Sequence, residues 1–149
     1  MSQIKKILCA VDFSEATNRV AEWAAYLGKC MGAEIVVLYA VPNMSRYSNF
    51  DVSSGYIANF EREIMHGAES NMKDCLKTNL KGIKAQGIVV MGDPAEKIME
   101  TAEEQGVDVI VLGTHGRKGL DRIVFGSVAD HVVKSASVPV LTIRPYDMD

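Results

Sequence analysis

The sequence predicts an α/β fold in which a five-stranded parallel sheet, ordered 3-2-1-4-5, carries helices on both faces. Two observations lead there. Five short apolar runs are nearly continuous rather than alternating, which is the pattern of strands buried on both faces. Between them lie segments whose apolar residues recur at helical spacing, so strands and helices alternate and the sheet is parallel. The 149 residues show no repeat, linker or shift of composition, and they fit one domain over residues 1–149.

The first strand is read over residues 4–11, interrupted only by Lys5 and Lys6. Ser14 is placed to cap the helix that follows, in which Val20, Ala24, Leu27 and Met31 share a face and Gly32 supplies the stop. Residues 34–41, with Ile35, Val36, Val37 and Leu38, form the second strand. Residues 42–56 are rich in Pro, Asn and Ser and show neither period, so they read as a long loop, with a lid, a partner-binding segment and a disordered stretch as the alternatives.

A long amphipathic helix is expected over residues 57–80, on Ile57, Phe60, Ile64, Ala68, Met72, Leu76 and Leu80. The third strand is read over residues 83–91. Asp93-Pro94-Ala95-Glu96 then combines an N-cap acid, proline at the first helical position and a capping-box glutamate, and Gly106 ends that helix. Residues 107–112 form the fourth strand, residues 127–136 a helix on Val128, Val132 and Ala136, and the run from Val138 to Ile143 the fifth strand. A sheet of this kind binds ligands beyond the carboxyl ends of its strands where strand order reverses, here between the first and fourth strands.

The connection after the fourth strand is GTHGRKGLDRIVFGS, residues 113–127. It is far longer than an ordinary strand-to-helix turn of about 2 to 6 residues. Its glycines do not fit the P-loop pattern GxxxxGK[ST]. Nor do they fit the dinucleotide pattern GxGxxG, which belongs after the first strand. What remains is Gly113-x2-Gly116-x9-Gly126-Ser127. With the VDFS turn after the first strand, the GDPAEKI helix start and the VPVLTIRP ending, this spacing resembles the ATP-binding branch of the universal stress protein family over nearly the whole chain. The resemblance implies a fold of the adenine nucleotide alpha hydrolase-like, Rossmann-like kind, an adenine nucleotide as ligand, and a homodimer.

Physical chemistry gives the loop a compatible role. Gly113 and Gly116 let backbone N–H groups approach a polyphosphate without interference from a Cβ, and Gly126-Ser127 stands where a helix begins, an end that attracts anions. Arg117, Lys118 and Arg122 can neutralise phosphate from the rim. Asp12, at the end of the first strand, can accept hydrogen bonds from two ribose hydroxyls, and the resemblance implies that it does so while the backbone of Val41 reads the adenine edge. His115 is a further phosphate-side candidate. Ala10, Val11, Leu112 and Val128 complete the cofactor-binding set. Simpler readings stand beside these: Ser127 with Asp130, or Asp12, serving only as helix caps.

Composition narrows the partners. Net charge is −3 with 23% charged residues, so no basic field collects nucleic acid. Cys9, Cys30 and Cys75 are odd in number and lack CxxC spacing, as expected of reduced thiols in a cytoplasmic protein. Neither an export signal nor a membrane span is expected. His66 and His131 belong to no metal-binding pattern. The last strand lies at the sheet edge in the expected order. It needs either a covering helix or pairing with a second copy from Val138 to Ile143, and the resemblance implies the latter.

The leading functional expectation is a regulatory, stress-response homodimer whose ATP, with ADP or AMP as alternatives and Mg²⁺ between the phosphates, biases its surface towards a protein partner. No acidic pair for phosphoryl transfer stands beside the loop, so catalysis is not the first reading. The alternatives are a slow ATPase in which His115 orients water, and a dimeric scaffold with an unoccupied nucleotide site.

Overall fold

The structure, a computed structural model, describes residues 3–43, 54–114 and 126–144. Five strands, β1 (Lys6–Ala10), β2 (Glu34–Val41), β3 (Ala85–Met91), β4 (Val109–Gly113) and β5 (Val140–Ile143), form one sheet ordered β3-β2-β1-β4-β5. All four pairings are parallel, as the sequence predicts. The strand β1 is central, with Ile7 beside Ile35 of β2 and Val109 of β4.

Strand alternation divides the interior in two. Ile7, Cys9, Ile35, Val37 and Val111 point to one face, where they meet α1 (Thr17–Met31) through Val20, Ala21 and Ala24, and α2 (Ser54–Asn79) through Met72 and Cys75. Leu8, Ala10, Val36, Leu38, Ile110 and Leu112 point to the other. There they meet α3 (Pro94–Gln105) through Ala95, Ile98 and Ala102, and α4 (Ser127–Ser135) through Ala129 and Val132. Full burial of each large aliphatic side chain stabilises by roughly 1.5 to 3 kcal/mol, so both faces contribute.

Helix ends show how local chemistry sets boundaries. Asp93 Oδ2 accepts the Glu96 N–H at 3.1 Å, Pro94 follows as the first helical residue, and Gly106 closes α3 at φ 63°. Gly32 closes α1 in the same left-handed conformation, φ 64°. At its start, however, α1 departs from expectation. Ser14 is not the cap: its N–H donates to Asp12 Oδ1, its Oγ accepts the Ala16 N–H, and its carbonyl accepts the Thr17 N–H, so a turn intervenes and the helix begins at Thr17.

Four strands begin later than their apolar runs, β1 among them: it spans Lys6–Ala10, with Ile4 and Val11 packed against the interior beyond it. Val107 is buried, but its N–H donates to the Ala102 carbonyl, which makes it part of the α3 exit rather than of β4. Val138 and Ile83 likewise pack against the interior outside the paired segments. Conversely α2 begins three residues earlier than the period suggests, inside the expected 42–56 loop, whose residues 44–53 lie outside the described ones.

Candidate functional site

At the carboxyl end of the sheet β1 and β4 are neighbours whose crossovers leave for opposite faces, β1 to α1 and β4 to α4. Between them opens a cleft of about 480 Å³. Leu38, Ala10 and Leu112 come to it from the sheet, Asp12, Ala16 and Thr17 from the α1 side, Pro94 and Ile98 from α3. Gly126, Ser127, Val128 and Ala129, the start of α4, complete it.

The cleft gathers most of the predicted residues. Ala10, Val11, Asp12 and Leu112 line it, as do Gly113, Gly126, Ser127 and Val128. Val41 does not. It is 1% exposed, and its carbonyl accepts the Gly92 N–H at 2.8 Å, because β3 runs alongside β2 to the pair Val41 and Met91. Tyr39 and Ala40 are the β2 residues beside Leu38 that reach the cleft. His115, Gly116 and Arg117, with Lys118 and Arg122, lie outside the described residues.

The start of α4 is built to leave donors over. Gly126 is its N-cap at φ −61° and ψ 157°, and the first intrahelical bond runs from the Asp130 N–H to the Gly126 carbonyl. Helix geometry therefore gives the N–H groups of Ser127, Val128 and Ala129 no intrahelical acceptor, and all three residues line the cleft. Ser127 is the first helical residue and not the cap. Asp130, its partner in the capping-box alternative, instead binds Lys134 at 3.1 Å.

Opposite stands Asp12. Its Oδ1 holds the Ser14 N–H at 2.9 Å, which orients the carboxylate, and Oδ2 has no partner among the described residues. The intervening Phe13 takes φ 56°, the one positive φ of a non-glycine residue among those described, with its ring 4.7 Å from that of Tyr39. Such backbone strain costs about 1 to 3 kcal/mol and persists where the surroundings fix it, commonly at ligand sites.

Sequence reasoning missed Thr17, Thr114, Tyr39, Pro94 and Ile98 as lining residues. Pro94 and Ile98 are four apart on α3 and so share a face, a signal the sequence contains. Among the described residues no group of three or more His, Cys, Asp or Glu could hold a metal. The three cysteines are free: burial pushes the thiols of Cys9 and Cys75 up, and Cys30 is exposed. No described helix is long and apolar enough to cross a membrane.

A parallel sheet ordered 3-2-1-4-5, with a glycine-lined cleft at its switch point, defines an α/β protein of the doubly wound class. Residues 3–144 match the universal stress protein family, and the chain belongs to it. It is 32% identical to Universal stress protein MJ0577 of Methanocaldococcus jannaschii, with 94% of each chain covered. The solved structure of hypothetical protein MJ0577 superposes with a TM-score of 0.85 at 28% identity, over 99% of this chain and 100% of the other. A universal stress protein from Archaeoglobus fulgidus, solved in complex with dAMP, shares the fold with a TM-score of 0.66 at 23% identity over 97% of this chain and 100% of its own.

Proposed function

We propose that this universal stress protein binds ATP, with ADP or AMP as alternatives, and acts as a nucleotide-dependent regulatory homodimer in the stress response. The observation that carries the reading is the cleft between β1 and β4, lined both by the start of α4, whose first three amides have no intrahelical acceptor, and by Asp12. Amides at a helix start suit phosphate, and a carboxylate suits paired ribose hydroxyls. In this reading Gly113, His115, Gly116, Arg117 and Gly126 serve the phosphates. The A. fulgidus relative with dAMP supports an adenine nucleotide as the ligand class.

Mg²⁺ enters this reading through the phosphates and water, since Asp12 is the one carboxylate among the described lining residues. Here the ion would neutralise phosphate charge. Binding, orientation and release then carry the function, and the cytoplasm, with a protein partner reading the surface, is its setting.

The test is nucleotide analysis of the denatured pure protein, followed by calorimetric titration of the emptied protein with ATP, ADP and AMP. Recovered nucleotide and saturable ATP binding support the reading. Absence of both would replace it with the scaffold alternative, and multiple turnovers under excess ATP and Mg²⁺ would replace it with the ATPase.

A further inference from the structure

Thr17 is the first residue of α1, only 7% exposed, and it lines the cleft. Its Oγ1 is buried and has no hydrogen-bond partner among the described residues. A threonine inside a helix ordinarily returns its hydroxyl to the carbonyl three or four residues back. At position 17 the carbonyls three and four back are those of Ser14 and Phe13; the Ser14 carbonyl accepts the N–H of Thr17 at 3.1 Å, and the hydroxyl bonds to neither. The residue lines the cleft while Oγ1 itself is covered, so a rotation about the Cα–Cβ bond is what brings the hydroxyl to a ligand there. A buried polar group in this condition is destabilising unless something from outside the fold completes it.

The surroundings indicate what that something is. The N-cap of α1, Ala16, provides no side-chain cap, and the first turn holds no acidic residue, although the helix runs for fifteen residues. The first turn thus carries no anion of its own, and the nearby cleft carboxylate, Asp12, is held by the Ser14 N–H. Ala16 and Val20 line the same cleft, which shows the side of α1 that faces it. The start of α4 meets it from the other face of the sheet. Two helix starts converging on one void suit a group with several negatively charged oxygens.

Building on the nucleotide reading above, we propose that Thr17 donates its hydroxyl to a phosphate oxygen of the bound nucleotide, which makes the start of α1 a second phosphate-binding point opposite that of α4. Asp12 and Thr17 then divide the work on the α1 side. The carboxylate accepts from the ribose, and the hydroxyl donates to the phosphate.

The experiment compares wild type, Thr17→Val and Thr17→Ser by calorimetric titration with ATP and adenosine and by thermal melting without ligand. Valine keeps the shape and removes the hydroxyl. We expect Thr17→Val to melt no lower than wild type without ligand, to bind ATP about 10-fold more weakly, and to bind adenosine as before. Thr17→Ser should retain most of the ATP affinity. Equal ATP affinity in wild type and Thr17→Val overturns the inference, and so does an equal loss for adenosine. A lower melting temperature of Thr17→Val with unchanged ATP affinity shows the hydroxyl to be paired within the chain, which also overturns it. Failure of wild type to bind any adenine nucleotide is a separate result, and it removes the nucleotide reading along with this one.

Discussion

Gly126 donates its N–H to the carbonyl of Thr114 at 2.7 Å, which draws the start of α4 against the end of β4 and makes one rim of the cleft from both ends of the 115–125 segment. The amide of Gly126 is therefore spent within the protein. On the proposed nucleotide reading the donors left for a ligand are those of Ser127, Val128 and Ala129, and the part of Gly126 is to keep the approach to them clear.

Its backbone angles, φ −61° and ψ 157°, are open to any residue, so Gly126→Val should fold with an unchanged circular dichroism spectrum. The added side chain stands at the cleft. ATP affinity should fall by at least about tenfold in a calorimetric titration. A variant that binds ATP as wild type does would remove Gly126 from the phosphate site.

Asp12 has two duties, holding the Ser14 N–H and facing the cleft, and an amide separates them. Asp12→Asn retains an oxygen for Ser14 and should melt close to wild type. It should weaken ATP, ADP and AMP alike, by about 10- to 100-fold, because the ribose is common to all three and a charged acceptor is worth about 1.5 to 3 kcal/mol. Comparison with 2′-deoxy-ATP checks the contact: the deoxy penalty seen in wild type should largely vanish in Asp12→Asn.

What the sequence made legible was what local chemistry decides. Asp93, Pro94 and Gly106 fixed α3 because capping and left-handed geometry need no tertiary context, and the uninterrupted run Ile35 to Leu38 fixed β2. The start of α1 was misread because Ser14 looks the same whether it caps a helix or turns onto Asp12, and only the folded backbone chooses. Val41 was placed at the cleft by resemblance. Pairing with β3 carries the end of β2 past the cleft, and pairing of that kind is a non-local fact. Thr17 was invisible for a similar reason: an unpaired hydroxyl is a property of its surroundings, not of its residue type.

At the other end of the sheet Asp108 ties β1 to the start of β4. Its Oδ2 accepts the N–H groups of Lys5 at 2.8 Å and Lys6 at 3.0 Å, and these bonds hold its carboxyl below the usual aspartate range. A lowered folded-state value means stability that is fully present above the ordinary value of about 3.9 and is lost as pH falls through the lowered one. Asp108→Ala should thus melt below wild type near neutral pH, and the gap should narrow in acid below about pH 4. A gap that stays constant from pH 7 down to acid would show that the carboxylate's charge contributes nothing.

The edge strand β5 allows a sharper test of the homodimer. The Ile110 N–H donates to the Pro139 carbonyl and the Thr114 N–H to the Ile143 carbonyl, which sets the phase of the β4–β5 ladder. Pro139, Leu141 and Ile143 turn their backbone groups towards β4, so Val140 and Thr142 present theirs at the open edge. Proline at 141 would break the ladder within the subunit and confuse unfolding with dissociation. Proline at 142 removes an outward donor and leaves the inward ones in place. If two copies pair through β5, Thr142→Pro should retain its circular dichroism spectrum, while light scattering at micromolar concentration shows a monomer where wild type gives a dimer. A dimer that survives Thr142→Pro would place the interface elsewhere than the β5 edge, whereas a monomeric wild type would remove the homodimer itself.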